Sequence, residues 1–185
     1  EAELLPHYQR WDRTSEWLPP EFIQKMVDMG LLRLRLPAKY DGQNYSCVDC
    51  GIVCEEIGRC DHQIRYIITN AIHLGEMASS MAPELQEEWI PRIAKGEMMS
   101  LAFTEPGGGA DAGGIRTKAV KAGSDYVING EKTSITFCGV SKVVFVSART
   151  GGPGPRGLSF FLVPTDTPGV KAVQFERMGQ RLDRG

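Results

Sequence analysis

The sequence has no apolar run long enough to span a bilayer; its longest are short pieces such as Val143 to Val146 and Phe160 to Val163. A transmembrane segment is therefore not expected. Charge of one sign is also missing: the net charge is −2, and the Lys and Arg residues are scattered rather than blocked. That argues against nucleic acid and against an anionic membrane surface as partners. Histidine is scarce, and none of the three has a second histidine at i+3 or i+4 with which to hold a metal. The five cysteines (Cys47, Cys50, Cys54, Cys60, Cys138) are odd in number and match no common zinc or iron–sulfur spacing. They are expected to be reduced thiols, with Cys47, Cys50 and Cys54 sharing one helix face as small buried hydrophobes. There is no initiator Met, charged leader or apolar leader core before Glu1. The residues from Glu1 already read as the body of a helix, so the chain is expected to be a portion of a longer protein.

What is present changes period near Met98. Before it the pattern is helical. Ala2 to Thr14 carries Leu4, Leu5, Tyr8 and Trp11 at helical spacing. Pro19 and Pro20 open a second helix that Gly30 closes, and Leu31 to Leu36 alternates as a short extended piece before Pro37. Ser46 can cap a helix to about Cys60, and Asp61 can cap the next, to about Met81. That helix is apolar almost all round and should be buried in a bundle, with His73 a core or interface histidine. Pro83 starts a last helix, through Pro91, that Gly96 stops.

After Met98 the pattern is that of strands. Met98 to Thr104 leads into a loop with five glycines in eight residues, Gly107 to Gly114. Ile115 to Val120 follows; Tyr126 to Ile128 and Glu131 to Thr136 flank Asn129-Gly130, a two-residue hairpin signal. Lys142 to Arg149, Leu158 to Val163 and Val170 to Phe175 complete an antiparallel barrel or sandwich. The fold class is α+β, an all-α bundle over residues 1–97 and a β domain over 98–185. Gly107-x-Gly109-x-x-Ala112 imitates a dinucleotide fingerprint, but that motif needs a helix directly after it, and strands and turns follow here. No Gly-Lys-Ser/Thr closes the loop, which excludes a Walker site. A backbone cradle for a phosphate within a β domain remains, as does a plain flexible connection.

Taken together, Thr104-Glu105-Pro106-Gly107-Gly108-Gly109-Ala110-Asp111, then Tyr126-Val127-Ile128-Asn129-Gly130-Glu131-Lys132, then Ile135-Thr136 resemble the acyl-CoA dehydrogenase family. Met29-Gly30-Leu31, Glu55-Glu56-Ile57-Gly58 and His73-Leu74-Gly75 resemble landmarks of its N-terminal helical domain. The resemblance implies an FAD enzyme that oxidises an acyl-CoA thioester between Cα and Cβ, a base taking the α-proton while the β-hydrogen leaves as hydride to flavin N5. It implies that Leu101, Phe103 and Thr104 contact the pyrimidine end of the flavin, that Thr136 offers its hydroxyl toward N5, and that Gly109 and Ala110 lie against the pyrophosphate. Ala110, with Asn70 and Leu74 on the buried helix, is the expected substrate lining. By residue type alone Thr104 and Thr136 are ordinary strand threonines and Phe103 ordinary core.

Two positions depart from the family pattern: Ala110 stands where many members have Ser, and Ser134 where many have Trp. The first removes a hydroxyl donor to phosphate, the second an aromatic wall at the flavin's edge. The catalytic base, a Glu on a C-terminal helical domain in most of the family, is expected beyond Gly185, and Met178-Gly179-Gln180-Arg181 normally precedes one more strand. A bulky or cyclic acyl group is suggested by Ser134 and by the Arg181 to Gly185 ending. The resemblance further implies an electron-transfer flavoprotein as electron acceptor, a homotetramer or homodimer, and a bacterial cytoplasmic or mitochondrial matrix location. A flavin monooxygenase on the same fold and a non-catalytic binding module are the alternatives.

Overall fold

The computed structural model describes residues 3–175, which form two compact units that divide between Met98 and Met99. The expected last strand and the Arg181 to Gly185 ending lie outside the described residues.

The first unit holds five helices: α1 (Tyr8–Thr14), α2 (Pro20–Asp28), α3 (Cys47–Cys60), α4 (His62–Met77) and α5 (Pro83–Ala94). Their ends follow local chemistry. Pro20 is the first residue of α2, and Gly30, at φ 75°, lets the chain leave it. Ser46 and Asp49 form a reciprocal capping box on α3, and the Asp61 carboxylate accepts from the Gln63 amide at the start of α4. Helix α1 is shorter than expected, because residues 3–7 form turns before it. Helix α4 packs against α3 and α5, and Gln63, Ile64, Ile67, Ile68, Asn70, Ala71 and Leu74 are buried along it. The Leu31 to Leu36 segment buries its alternate leucines, 32, 34 and 36, without pairing into a sheet. Gly75 lets α4 approach this segment, since a Cβ there would lie 2.8 Å from the Arg35 carbonyl carbon. Of the α3 cysteines only Cys50 is buried; Cys47 is exposed and Cys54 half-buried, so the shared face is a rim rather than core. Among the described residues no group of His, Cys, Asp and Glu could hold a metal. No described helix is long and apolar enough to cross a membrane.

The second unit is one five-stranded sheet: β1 (Met99–Ala102), β2 (Lys118–Ala122), β3 (Asp125–Asn129), β4 (Val143–Arg149) and β5 (Leu158–Pro164). It is mixed, which corrects the wholly antiparallel expectation. Strand β1 runs parallel to β4, Met99 beside Val143, and β2 meets β4 in parallel at Lys118 and Arg149. The pairs β2–β3 and β4–β5 are antiparallel. A parallel pair needs a long crossover, and the segment from Phe103 to Lys142 supplies one. Val170 to Phe175 forms no strand and is exposed.

The hairpin also falls elsewhere than expected. Its turn is Gly123-Ser124, with Gly123 at φ 66° and Ala122 paired to Asp125. Strand β3 continues to Asn129, which pairs with Lys118, and Glu131 to Thr136 is irregular. Gly130 serves close packing instead of a turn, because a Cβ there would lie 2.3 Å from Thr117 Oγ1 and 2.7 Å from its Cα. Gly130→Ala should therefore destabilise the β unit by about 1–3 kcal/mol, the usual cost of overpacking. Thermal unfolding checks this, and an unchanged midpoint would return Gly130 to the turn reading.

Candidate functional site at the end of β1

The sheet delivers β1 into the glycine loop beside the irregular segment that follows β3. Two buried polar networks join these pieces. The first centres on Lys132, whose ammonium donates to the Phe103 carbonyl (3.1 Å), Glu105 Oε1 (2.9 Å) and Ser147 Oγ (3.1 Å). Three donors meet three acceptors, so the ammonium is saturated. The Ser147 hydroxyl passes its own proton to the Ala102 carbonyl at 3.3 Å. Glu105 also accepts from the Arg116 amide at Oε2 (2.7 Å) and from the Thr117 amide at Oε1 (2.9 Å). Both charged side chains are at least nine-tenths buried, 10% exposed for Lys132 and 9% for Glu105.

Burial pushes the Glu105 carboxyl up, but the surrounding donors (the Thr117 side chain, the two amides and the Lys132 ammonium) outweigh it and hold its pKa down to about 2. The Thr117 hydroxyl itself forms no well-aligned hydrogen bond, so the amides and the ammonium carry this effect. A carboxylate this acidic and this fully engaged is not a general base. Glu105 instead ties the glycine loop to the start of β2.

The second network holds the segment around Thr136. The hydroxyls of Ser100 and Ser141 lie 2.6 Å apart and share two protons among three contacts, with each other, with the Thr136 carbonyl (2.8 Å) and with the Phe137 carbonyl (2.9 Å). Ser134 and Phe137 both take left-handed backbone conformations, at φ 58° and 64°. For a bulky residue that is a strained state, which persists only when its surroundings hold it. Phe137 is 2% exposed, and its carbonyl also accepts from the Val140 and Ser141 amides.

These networks bring together most of the residues expected at a cofactor site. Leu101, Phe103, Thr104 and Thr136 are half-buried, while Gly109, Ala110 and Ser134 are exposed. The Thr133 amide donates to the Thr104 carbonyl at 3.0 Å, joining the two segments. Neither Thr104 nor Thr136 uses its hydroxyl within the described residues, although the backbone around each is fixed. The loop from Gly107 to Ala110 is open, since a Cβ at Gly107 or Gly108 would meet nothing within 4 Å and one at Gly109 would meet only the Thr104 side chain. Glycine-rich backbone of this kind can turn its amides to an anionic group.

Farther along the loop, Gly113 and Gly114 border a groove of about 700 Å³ with Arg116, Lys118 and Arg149 on its walls. The Arg149 guanidinium donates to the carbonyls of Ile115, Gly113, Gly152 and Gly154, which pins two loop segments together. Among the described residues none of these three cations is paired with a carboxylate, and one carboxylate, that of Asp111, lies beside Gly113 and Gly114, so three cations and one anion surround the groove.

Asn70 and Leu74, the expected substrate lining in the first unit, are buried on one side of α4, and Leu74 has no exposed surface. Sequence reasoning quoted Glu105 and Lys132 as motif members without a role and missed Ser100, Ser141, Ser147 and Arg149. Serines in or just before a strand and a strand arginine carry no local signal for what they bond across the sheet.

Two family models cover nearly all of the sequence: "Acyl-CoA dehydrogenase, N-terminal domain" matches residues 1–97, and "Acyl-CoA dehydrogenase, middle domain" matches residues 100–184. The sequence is 34% identical over 187 residues to the probable acyl-CoA dehydrogenase YngJ of Bacillus subtilis, covering 97% of this chain and 48% of that one. It is 38% identical over 183 residues to cyclohexane-1-carbonyl-CoA dehydrogenase of Geobacter metallireducens, covering 96% and 48%. Among solved structures, a glutaryl-CoA dehydrogenase from Mycobacterium smegmatis in complex with FADH2 superposes with a TM-score of 0.87 at 31% identity, covering 98% and 47%. The chain thus spans about half the length of the relatives it matches.

Proposed function

This chain belongs to the acyl-CoA dehydrogenase family, and on that premise we propose that its β unit holds FAD at the end of β1 for the oxidation of an acyl-CoA thioester. The carrying observation is the pair of threonines, Thr104 and Thr136, whose hydroxyls have no partner among the described residues while their backbones are fixed beside an open glycine loop. In this reading Leu101, Phe103 and Thr104 meet the pyrimidine end of the flavin, Thr136 offers its hydroxyl to the ring, and Gly109 and Ala110 receive the pyrophosphate. When bound, FAD supplies the hydride acceptor for oxidation of the acyl Cα–Cβ bond. The chain's own contribution is orientation by preset hydrogen-bond donors. The electropositive groove of Arg116, Lys118 and Arg149 suits the phosphates of CoA. Asn70, which keeps a little exposed surface, is the residue of α4 assigned to the substrate. A cyclic acyl group is favoured by the Geobacter relative and by the small, exposed Ser134. An electron-transfer flavoprotein is the acceptor proposed to reoxidise the flavin.

Acid release of flavin from the purified full-length protein, which carries the base expected beyond Gly185, followed by anaerobic titration with cyclohexanecarbonyl-CoA and straight-chain acyl-CoAs, tests this reading. Bleaching of the visible flavin band, strongest with the cyclic thioester, is expected. Absence of flavin, or reduction only by an added chemical reductant, would overturn it. Ala110→Ser should tighten FAD binding several-fold by restoring a hydroxyl donor to a charged phosphate. Fluorescence titration reads this, and unchanged affinity would move the phosphate away from residue 110.

A further inference from the structure

We propose that Lys132 is a positioning residue for the flavin site, setting Thr104 through the residues on either side of it. The inference rests on the FAD reading above. Thr104 lies between Phe103, whose carbonyl Lys132 binds at 3.1 Å, and Glu105, whose carboxylate Lys132 binds at 2.9 Å. Its own carbonyl is held at 3.0 Å by the amide of Thr133, the residue after Lys132. Phe103, the Glu105 side chain and the carbonyl of Thr104 itself are thus tied to residues 132 and 133, and the Glu105 backbone to Gly108, while the Thr104 side chain is left unengaged. A buried ion pair is a costly way to stabilise a sheet, because desolvation consumes much of the attraction. What such a pair provides well is a single fixed geometry, and the geometry fixed here is the segment that carries the hydroxyl. Lys132 touches neither Thr136 nor the glycines proposed at the pyrophosphate, so it acts on the pyrimidine end of the flavin, through Phe103 and Thr104.

Lys132→Met would leave the Glu105 carboxylate buried without its cation, and that variant alone could fail to fold. The double variant Lys132→Met/Glu105→Gln removes both charges and keeps the test independent of folding. The experiment measures the FAD dissociation constant by fluorescence quenching, the visible circular dichroism of bound flavin, and the thermal midpoint of the flavin-free protein. The variants are the wild type, Thr104→Ala, the Lys132/Glu105 double variant and the triple variant. The double variant is expected to weaken FAD binding about tenfold and change the visible dichroism, as loss of a supporting contact one step from a ligand does. Adding Thr104→Ala to it should cost less than Thr104→Ala costs the wild type, because the double variant already displaces that hydroxyl. A folded double variant with wild-type affinity and dichroism would overturn the proposal, as would full additivity with Thr104→Ala. A wild type that binds no FAD would overturn the functional reading first, visibly before any variant is compared, and this inference with it.

Discussion

Glu105→Gln should remove up to about 3 kcal/mol of stability from the β unit at pH 7 and should flatten the acid-sensitive limb of its unfolding curve. The magnitude follows from a carboxyl whose folded pKa is lowered from 4.5 to about 2, each unit being worth about 1.4 kcal/mol. The sign follows from proton uptake. Between pH 4.5 and 2 the unfolded chain binds a proton at residue 105 that the folded chain refuses, so stability falls as pH falls through this window. Above pH 4.5 the contribution is fully present. Gln cannot reproduce it, because its amide nitrogen would face a donor, either the Arg116 amide or the Lys132 ammonium. The wild type and the variant should therefore differ most at neutral pH and converge toward pH 2. Trp11, Trp17 and Trp89 all belong to the helical unit, so tryptophan fluorescence reads that unit. Amide exchange in β2, which begins next to the Arg116 and Thr117 amides, reads the β unit. A gap between the two proteins that does not narrow with acid would show that Glu105 is not the group responsible.

The same residues show why part of this fold is legible from sequence and part is not. Helix ends are decided within four residues by proline, serine and glycine chemistry, so Pro20, Ser46, Asp61 and Gly30 could be read directly. Strand partners are decided at a distance. Nothing between Met99 and Ala102 indicates that Val143 lies beside them in parallel, because the crossover that permits it runs through the glycine loop, the β2–β3 hairpin and the irregular segment after it. Asn129-Gly130 is a sound local turn signal that lost to packing: Thr117 needs the space that a Cβ at residue 130 would fill. At the site, Thr104 and Thr136 were found through a resemblance that covers whole motifs. The serines that hold them were not found, since Ser100 and Ser147 look like any strand serine until β1 and β4 are placed side by side. Local chemistry marks where a chain turns; only tertiary structure shows which polar residues are buried together.

Leu74→Ala separates the two roles this residue has been given. As substrate lining it should be dispensable for folding, and truncation should only widen the space for an acyl group. As core it should be expensive. Leu74 has no exposed surface and lies on the face of α4 that also buries Ile67, Ile68 and Ala71. The next residue, Gly75, already brings the α4 backbone against Arg35, so the helix cannot slide inward to fill the gap. A cavity that cannot collapse carries the larger penalty, and the expected loss is about 3–5 kcal/mol, the upper part of the range for buried Leu→Ala. Urea unfolding followed by tryptophan fluorescence should show it as a lower midpoint with an unchanged slope. Asn70→Ala, one turn earlier, supplies the contrast: it is expected to alter KM for the acyl-CoA, whereas Leu74→Ala alters stability. Wild-type stability in the Leu74 variant, with a shifted acyl-chain preference, would restore Leu74 to the substrate site.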